Sequence, residues 1–134
     1  MNARPSFALR AAAPSDLSAI VGLIAELADF EQLGHLLAVT PESLHPHLFG
    51  DRPVAEAVVA EVDGRVVGFA LFLTNFSTFL GKPGLYLEDL YVQPAYRGAG
   101  IGRALLEHLG ALAPTRGYGS FEWRVLEWHA SALR

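Results

Sequence analysis

Three glycines in five residues, Gly98, Gly100 and Gly102, stand between Arg97 and Arg103. They follow an apolar, aromatic-rich run, Leu85-Tyr-Leu-Glu-Asp-Leu-Tyr-Val92, that breaks at Pro94. Ala104, Leu105, Leu106, Leu109 and Leu112 then recur at helical spacing, so the segment reads as strand, loop and helix, with the glycines at the helix N-terminus. That arrangement binds anions. The first turn of a helix has unpaired N–H groups and partial positive charge, and glycine lets a phosphate come close to the backbone. Two common phosphate motifs are excluded by spacing. A dinucleotide fingerprint and a P-loop counted from Gly98 would both need glycine at 103, where Arg103 stands, and Ala104 replaces the P-loop lysine. What remains is Arg97-x-x-Gly100-x-Gly102. The same turn with no ligand is the alternative reading of these residues.

The second chemical feature is a carboxylate pair, Glu88-Asp89, inside the apolar run. Strand alternation places the two on opposite faces, so at most one points into a cleft. His45-Pro-His47 has metal-like spacing but no cysteine or carboxylate cluster beside it, and it is expected to be a surface turn; no metal is implied. The chain has no cysteine, which removes disulfides, cysteine–zinc sites and thiol nucleophiles together. Its net charge of −4 gives no basic field for nucleic acid and mildly favours a small cation. Charged residues at 18% against 51% hydrophobic exclude a disordered chain, and 134 residues suit one domain, taken as 1–134. No stretch is apolar enough to span a bilayer and the N-terminus is unlike a signal peptide, so the expected location is cytoplasmic, with no membrane partner.

Around these residues the chain supplies alternating elements. Phe7 to Ala11 is a short strand. A helix is expected from Pro14-Ser15-Asp16, with Ser15 as N-cap, and Leu17, Ile20, Val21, Ile24, Leu27 and Ala28 form its apolar face until Gly34 closes it. Phe30 and Glu31 sit at its exit and are of interest there; a staple aromatic and a solvated charge are the alternative reading. Thr40-Pro41-Glu42 starts a second helix, cut short by Pro46. Ala55–Val62, Asp63-Gly64 and Arg65–Leu73 form a hairpin whose second strand is apolar on both faces and therefore central. Asn75 to Gly84 is read as a loop carrying Phe76, Phe79 and Leu80. After the glycine-led helix, Ser120 to Leu126 is a last strand, with Phe121, Trp123 and Val125 on one face, and Glu127 to Ser131 enters a further helix. The order predicts an α/β sandwich with a mixed sheet: an antiparallel meander, then a crossover that makes the last strand parallel to its neighbour.

Arg97-x-x-Gly100-x-Gly102 after a strand resembles the acetyl-CoA pyrophosphate loop of the GNAT N-acetyltransferase superfamily. The likeness covers nearly the whole chain and is strongest to the spermidine/spermine (diamine/thialysine) acetyltransferase subfamily, through Glu26-Leu-Ala-Asp-Phe-Glu31, Ala60-Glu-Val62, Gly68-Phe-Ala70, Leu85 to Val92, Tyr96 to Gly102 and Val125-Leu-Glu-Trp128. It implies an α/β fold with a GNAT-like mixed β-sheet flanked by helices. It implies acetyl-CoA as acetyl donor, a small-molecule amine as acceptor, direct transfer in a ternary complex, and a homodimer. By the same resemblance Leu90, Tyr91 and Val92 pair with the pantetheine arm, and Arg97, Gly98, Ala99, Gly100, Ile101, Gly102 and Arg103 hold the pyrophosphate. His129 begins the helix that flanks the cofactor. Glu88 faces the amine as catalytic carboxylate, with Asp89 structural, while Phe30, Glu31, Glu122, Trp123 and Arg124 line the acceptor site. The family's Asn after Glu-Trp is His129 here, and its acid tyrosine and last two strands have no counterpart before Arg134, so the resemblance implies a domain truncated at its C-terminus. Readings with a different outcome are an aminoglycoside or protein amine as acceptor, or a catalytically impaired acyl-CoA-binding or dimerisation module.

Overall fold

The computed structural model describes residues 6–123, so Arg124, His129 and the helix expected from Glu127 lie outside the described residues. Five strands form one sheet in the order β1-β2-β3-β4-β5: β1 (Ala8–Ala11), β2 (Glu56–Val62), β3 (Arg65–Ser77), β4 (Lys82–Val92) and β5 (Phe121–Trp123). The first four are antiparallel neighbours. β5 pairs in parallel with β4 through Leu85↔Phe121, Tyr86↔Glu122 and Leu87↔Trp123, as the predicted crossover requires. Helices α1 (Leu17–Phe30) and α2 (Pro41–Phe49) cover one face, and α3 (Ile101–Thr115) covers the other.

Alternation in the central strands fills both cores. On β2, Val58 and Ala60 face α3 with Leu105 and Leu109, whereas Ala57 and Val59 face α1 with Ile20 and Leu23. β3 is buried on both faces from Val67 to Phe72, which explains why it lacks a polar side there. Asp63 and Gly64 take positive φ angles of 51° and 79°, the two-residue hairpin geometry that matches strand twist.

Five local expectations are corrected. Ser15 does not cap α1: Pro14–Asp16 is a 3-10 turn, and buried Asp16 accepts from Ala13 N at 2.7 Å and from Arg10 at 2.6 and 3.0 Å. Gly34 does not close α1. Gln32, at φ 61°, is the left-handed residue, with Leu33 N bonded to Ala28 O and Gln32 N to Asp29 O, a Schellman ending. Pro46 does not end α2, which runs on to Phe49, and its N-cap Thr40 exchanges hydrogen bonds with Ser43. His45 and His47 are therefore on a helix, exposed, and not in a turn. Finally, residues 75–84 are mostly strand. β3 and β4 pair out to Ser77↔Lys82, leaving a four-residue tip that carries fully exposed Phe79. The long hairpin was hidden because its outer half lies beyond the core, where pairing requires no apolar alternation.

Candidate functional site

The register of β3 against β4 slips once, at the carboxylate pair. Leu71 lies opposite Asp89 and Phe72 opposite Leu87, so Glu88 is an extra residue with no partner on β3. Such a bulge breaks the ladder and reverses the alternation beyond it. Leu85 and Leu87 face α3, but so do Leu90 and Val92, while Tyr91 faces α1. The simple pleat expectation for Glu88 and Asp89 therefore does not hold. Glu88 is exposed at the bulge, and Asp89 turns to the α1 side.

Asp89 lines a cavity of about 220 Å³ with Glu31, Ile24, Leu27, Leu33 and Leu36 among its walls. Three sequence features build it. The apolar stripe of α1 provides the floor, the Schellman reversal after Phe30 carries Leu33 back over it, and the bulge brings Asp89 into the wall. Two carboxylates in an otherwise apolar wall suit a cation with a short hydrocarbon body. Phe30 is 44% exposed and adjoins this cavity without lining it.

The other half of the site is the end of β4. Among the described residues no strand pairs with its outer edge beyond Leu87. Arg97 caps the strand by donating from Nε to Val92 O at 2.9 Å. Gly98 and Gly100 follow, both at φ 87°, a conformation that costs any other residue about 1–2 kcal/mol. A Cβ at either would meet nothing within 4 Å, so the turn is open towards solvent. The first bond inside α3 is Ala104 N to Gly100 O at 2.9 Å, so Ile101, Gly102 and Arg103 have no intrahelical acceptor. Open glycines, N–H groups without helical acceptors and the exposed Arg103 side chain together fit a ligand that ends in a diphosphate.

A third cluster, unforeseen in the sequence, ties the halves together. Glu26 on α1 accepts from Tyr91 Oη at 3.0 Å and from Gln93 Nε2 at 2.9 Å. Burial, then the hydrogen bond to Glu26 and the charge of that carboxylate, push the Tyr91 hydroxyl up to about 12, against a smaller opposing effect of Arg97. The Arg97 guanidinium lies 5.4 Å from the Tyr91 ring centre and 5.6 Å from that of Phe30. The one available clue was the four-residue spacing of Glu26 and Phe30 on the helix.

Of the remaining expected site residues, Glu122 and Trp123 alternate. The Trp123 ring centre lies 5.0 Å from that of Phe121 with the rings tilted by 47°, on the α3 side, and Glu122 is in register with Tyr86 and lies on the opposite face. Leu90, Tyr91 and Val92 lie at the end of β4, past its pairing with β5 among the described residues, and Ala99 packs against the α3 core. No group of three or more metal-ligating side chains occurs among the described residues.

Comparison with known proteins agrees with this geometry. Residues 24–134 match the Acetyltransferase (GNAT) family. A thialysine N-epsilon-acetyltransferase of Mus musculus is 36% identical, over 93% of this chain and 78% of that one. An L-ornithine N5-acetyltransferase of Arabidopsis thaliana is 29% identical, over 93% and 75%. Among solved structures, a ribosomal-protein-alanine N-acetyltransferase from Brucella melitensis superposes with a TM-score of 0.76 at 25% identity, over 91% of this chain and 82% of that one.

Proposed function

This chain belongs to the Acetyltransferase (GNAT) family, and from that premise we propose that it transfers the acetyl group of acetyl-CoA to a primary amine of a small cationic substrate, of the polyamine, diamine or thialysine kind, with both substrates bound together. The observation that carries the acceptor class is the small apolar cavity with Glu31 and Asp89 in its wall, beside the bulge at Glu88. The names of the mouse and Arabidopsis relatives favour a small amino-acid amine over an aminoglycoside or a protein terminus.

Each part of the site has a role in this reading. Acetyl-CoA supplies the activated thioester. The N–H groups of Gly98 to Arg103 hold its diphosphate, and the edge of β4 at Leu90 to Val92 pairs with the amides of its arm. An alkylamine with pKa near ~10 arrives protonated. Glu31 and Asp89 attract the ammonium, and Glu88, exposed at the bulge, takes the proton directly or through water so that the neutral amine can attack. Backbone N–H groups released from the ladder at the bulge are available to a developing oxyanion. No acyl-enzyme is required, in keeping with a chain without cysteine.

The same reading takes residues 1–134 as one acetyltransferase domain working in the cytoplasm as a homodimer. Exposed Phe76, Phe79 and Leu80 on the β3–β4 hairpin support self-association. Among the described residues no helix is long and apolar enough to cross a membrane. The test is CoA release from acetyl-CoA with a panel of thialysine, ornithine, putrescine, spermidine, an aminoglycoside and an N-terminal peptide. Turnover confined to the small amines, and lowered by Glu88→Gln, supports the proposal; preference for the last two refutes it.

A further inference from the structure

One side chain of this protein carries the chemistry of its own proposed acceptor. Of the ten lysines and arginines in the sequence only Lys82 is a lysine, so it is the only side chain that ends in a primary amine. The guanidinium of arginine stays protonated and is no acceptor. Lys82 is also the only charged residue between Arg65 and Glu88. It opens β4 at the foot of the β3–β4 hairpin, is exposed, and has no ion-pair partner among the described residues. Its stem lies against Gly119, where a built Cβ would stand 3.2 Å from Lys82 Cδ and 3.3 Å from Lys82 Cβ. A residue without a side chain at 119 leaves room for that stem. Phe76, Phe79 and Leu80 are exposed on the same hairpin, so the amine stands beside a surface suited to contact with another molecule.

We propose that Lys82 is a self-acetylation site, modified in trans when the amine cavity of a second copy receives its side chain. The inference rests on the acetyltransferase reading above. Distance requires the second copy: Lys82 and Glu88 both lie on β4, and at the rise of a strand they are about 20 Å apart, farther than a lysine side chain reaches. The cavity suits the guest. Glu31 and Asp89 stand in an otherwise apolar wall, the setting for an ammonium on a four-carbon stem. An acceptor of the thialysine kind differs from lysine only by a sulfur in place of one methylene. In the transfer one proton of the ammonium passes to Glu88 of the second copy, and Nζ bonds to the thioester carbonyl carbon. The C–S bond breaks, and the remaining proton lost by the nitrogen leaves with the thiolate as thiol. The product is a neutral amide in place of the hairpin's only charge.

Peptide mapping by mass spectrometry of the full chain, incubated with excess acetyl-CoA, tests this. Acetyl should accumulate on Lys82. A saturating amine from the panel that the enzyme turns over should slow it by at least about tenfold, because both acceptors need the same cavity and lose the same general-base catalysis, about 10²- to 10⁴-fold, outside it. Lys82→Arg should turn over the small amine at the parent rate. Glu88→Gln alone should acetylate its own Lys82 slowly, and equilibration with Lys82→Arg chains should restore acetylation of that lysine. Acetylation of Lys82 that ignores the competing amine is uncatalysed and overturns the proposal. So does failure of the mixed chains to restore it, or acetyl found on the N-terminal amine and not on Lys82. Turnover of small amines with Lys82 left unmodified overturns the self-acetylation alone. Absence of CoA release with every amine, together with no CoA binding to the folded chain, removes the acetyltransferase reading and this one with it.

Discussion

Gly100 and Gly64 provide a matched pair for testing the diphosphate turn. Both have positive φ, 87° and 79°, and a Cβ built on either meets no atom within 4 Å. Alanine at either position therefore introduces no clash, only the left-handed strain of about 1–2 kcal/mol. Near this chain length each kcal/mol moves the melting midpoint by roughly 3–5 °C, so both variants should melt about 3–10 °C lower. Their effects on ligand binding should differ. Gly64 turns the β2–β3 hairpin, whereas Gly100 is the N-cap of α3, where the new Cβ enters the space that a diphosphate would use. Losing one charge-assisted hydrogen bond, about 1.5–3 kcal/mol, weakens binding by roughly 10- to 150-fold. The assay is calorimetric titration of each variant with CoA, below its own melting range. Wild-type affinity in Gly100→Ala, or an equal loss in Gly64→Ala, would show that the turn is only a turn.

Other perturbations address the remaining parts of the site and the fold. Asp89→Asn and Glu31→Gln should each raise the amine KM by about tenfold or more while leaving the acetyl-CoA dissociation constant unchanged, because both carboxylates line the cavity and neither belongs to the glycine turn; an unchanged KM in both would detach the cavity from the acceptor. The Arg10 guanidinium holds the Asp16 carboxyl below the usual carboxylate range. A lowered folded-state pKa gives stability that is complete above the unfolded value near ~3.9 and is lost as pH falls through the lower one. Urea midpoints should accordingly fall below about pH 4, and Asp16→Asn should be less stable at neutral pH by about 1–3 kcal/mol with a flatter acid limb. Tyr91 has the opposite sign: pushed up to about 12, its hydroxyl contributes stability that is complete below ~10 and disappears as pH rises through 12. The Tyr91→Phe variant should lack that alkaline limb, and an identical profile would show that the hydroxyl makes no such contribution.

Much of the fold was legible because its elements announce themselves locally. The Asp63-Gly64 hairpin, the apolar stripe of α1 and the doubly buried β3 each rest on a period of 2 or 3.6 together with nearby turn chemistry. Misreadings occurred where the decisive partner is distant or no local pattern exists. Asp16 looks like a helix-start acid, but Arg10 and Ala13 draw it into a buried network. The outer half of the β3–β4 hairpin has no buried face to reveal it. At the site, the glycine turn could be read from spacing alone, since its conformation is demanded by glycine itself. The cavity at Asp89 could not, because it depends on one extra residue in β4.

Residue types and their order thus determined that a strand runs into a glycine-led helix and that two neighbouring carboxylates stand just upstream. These are properties of the local chain. Which carboxylate enters the cavity was decided only by pairing. Register is set by how β3 and β4 bury their apolar faces against two helical layers, and keeping Leu85, Leu87, Leu90 and Val92 all facing α3 requires the extra residue at Glu88. The same tertiary packing brought Glu26, Phe30, Tyr91 and Arg97 together from three separate elements.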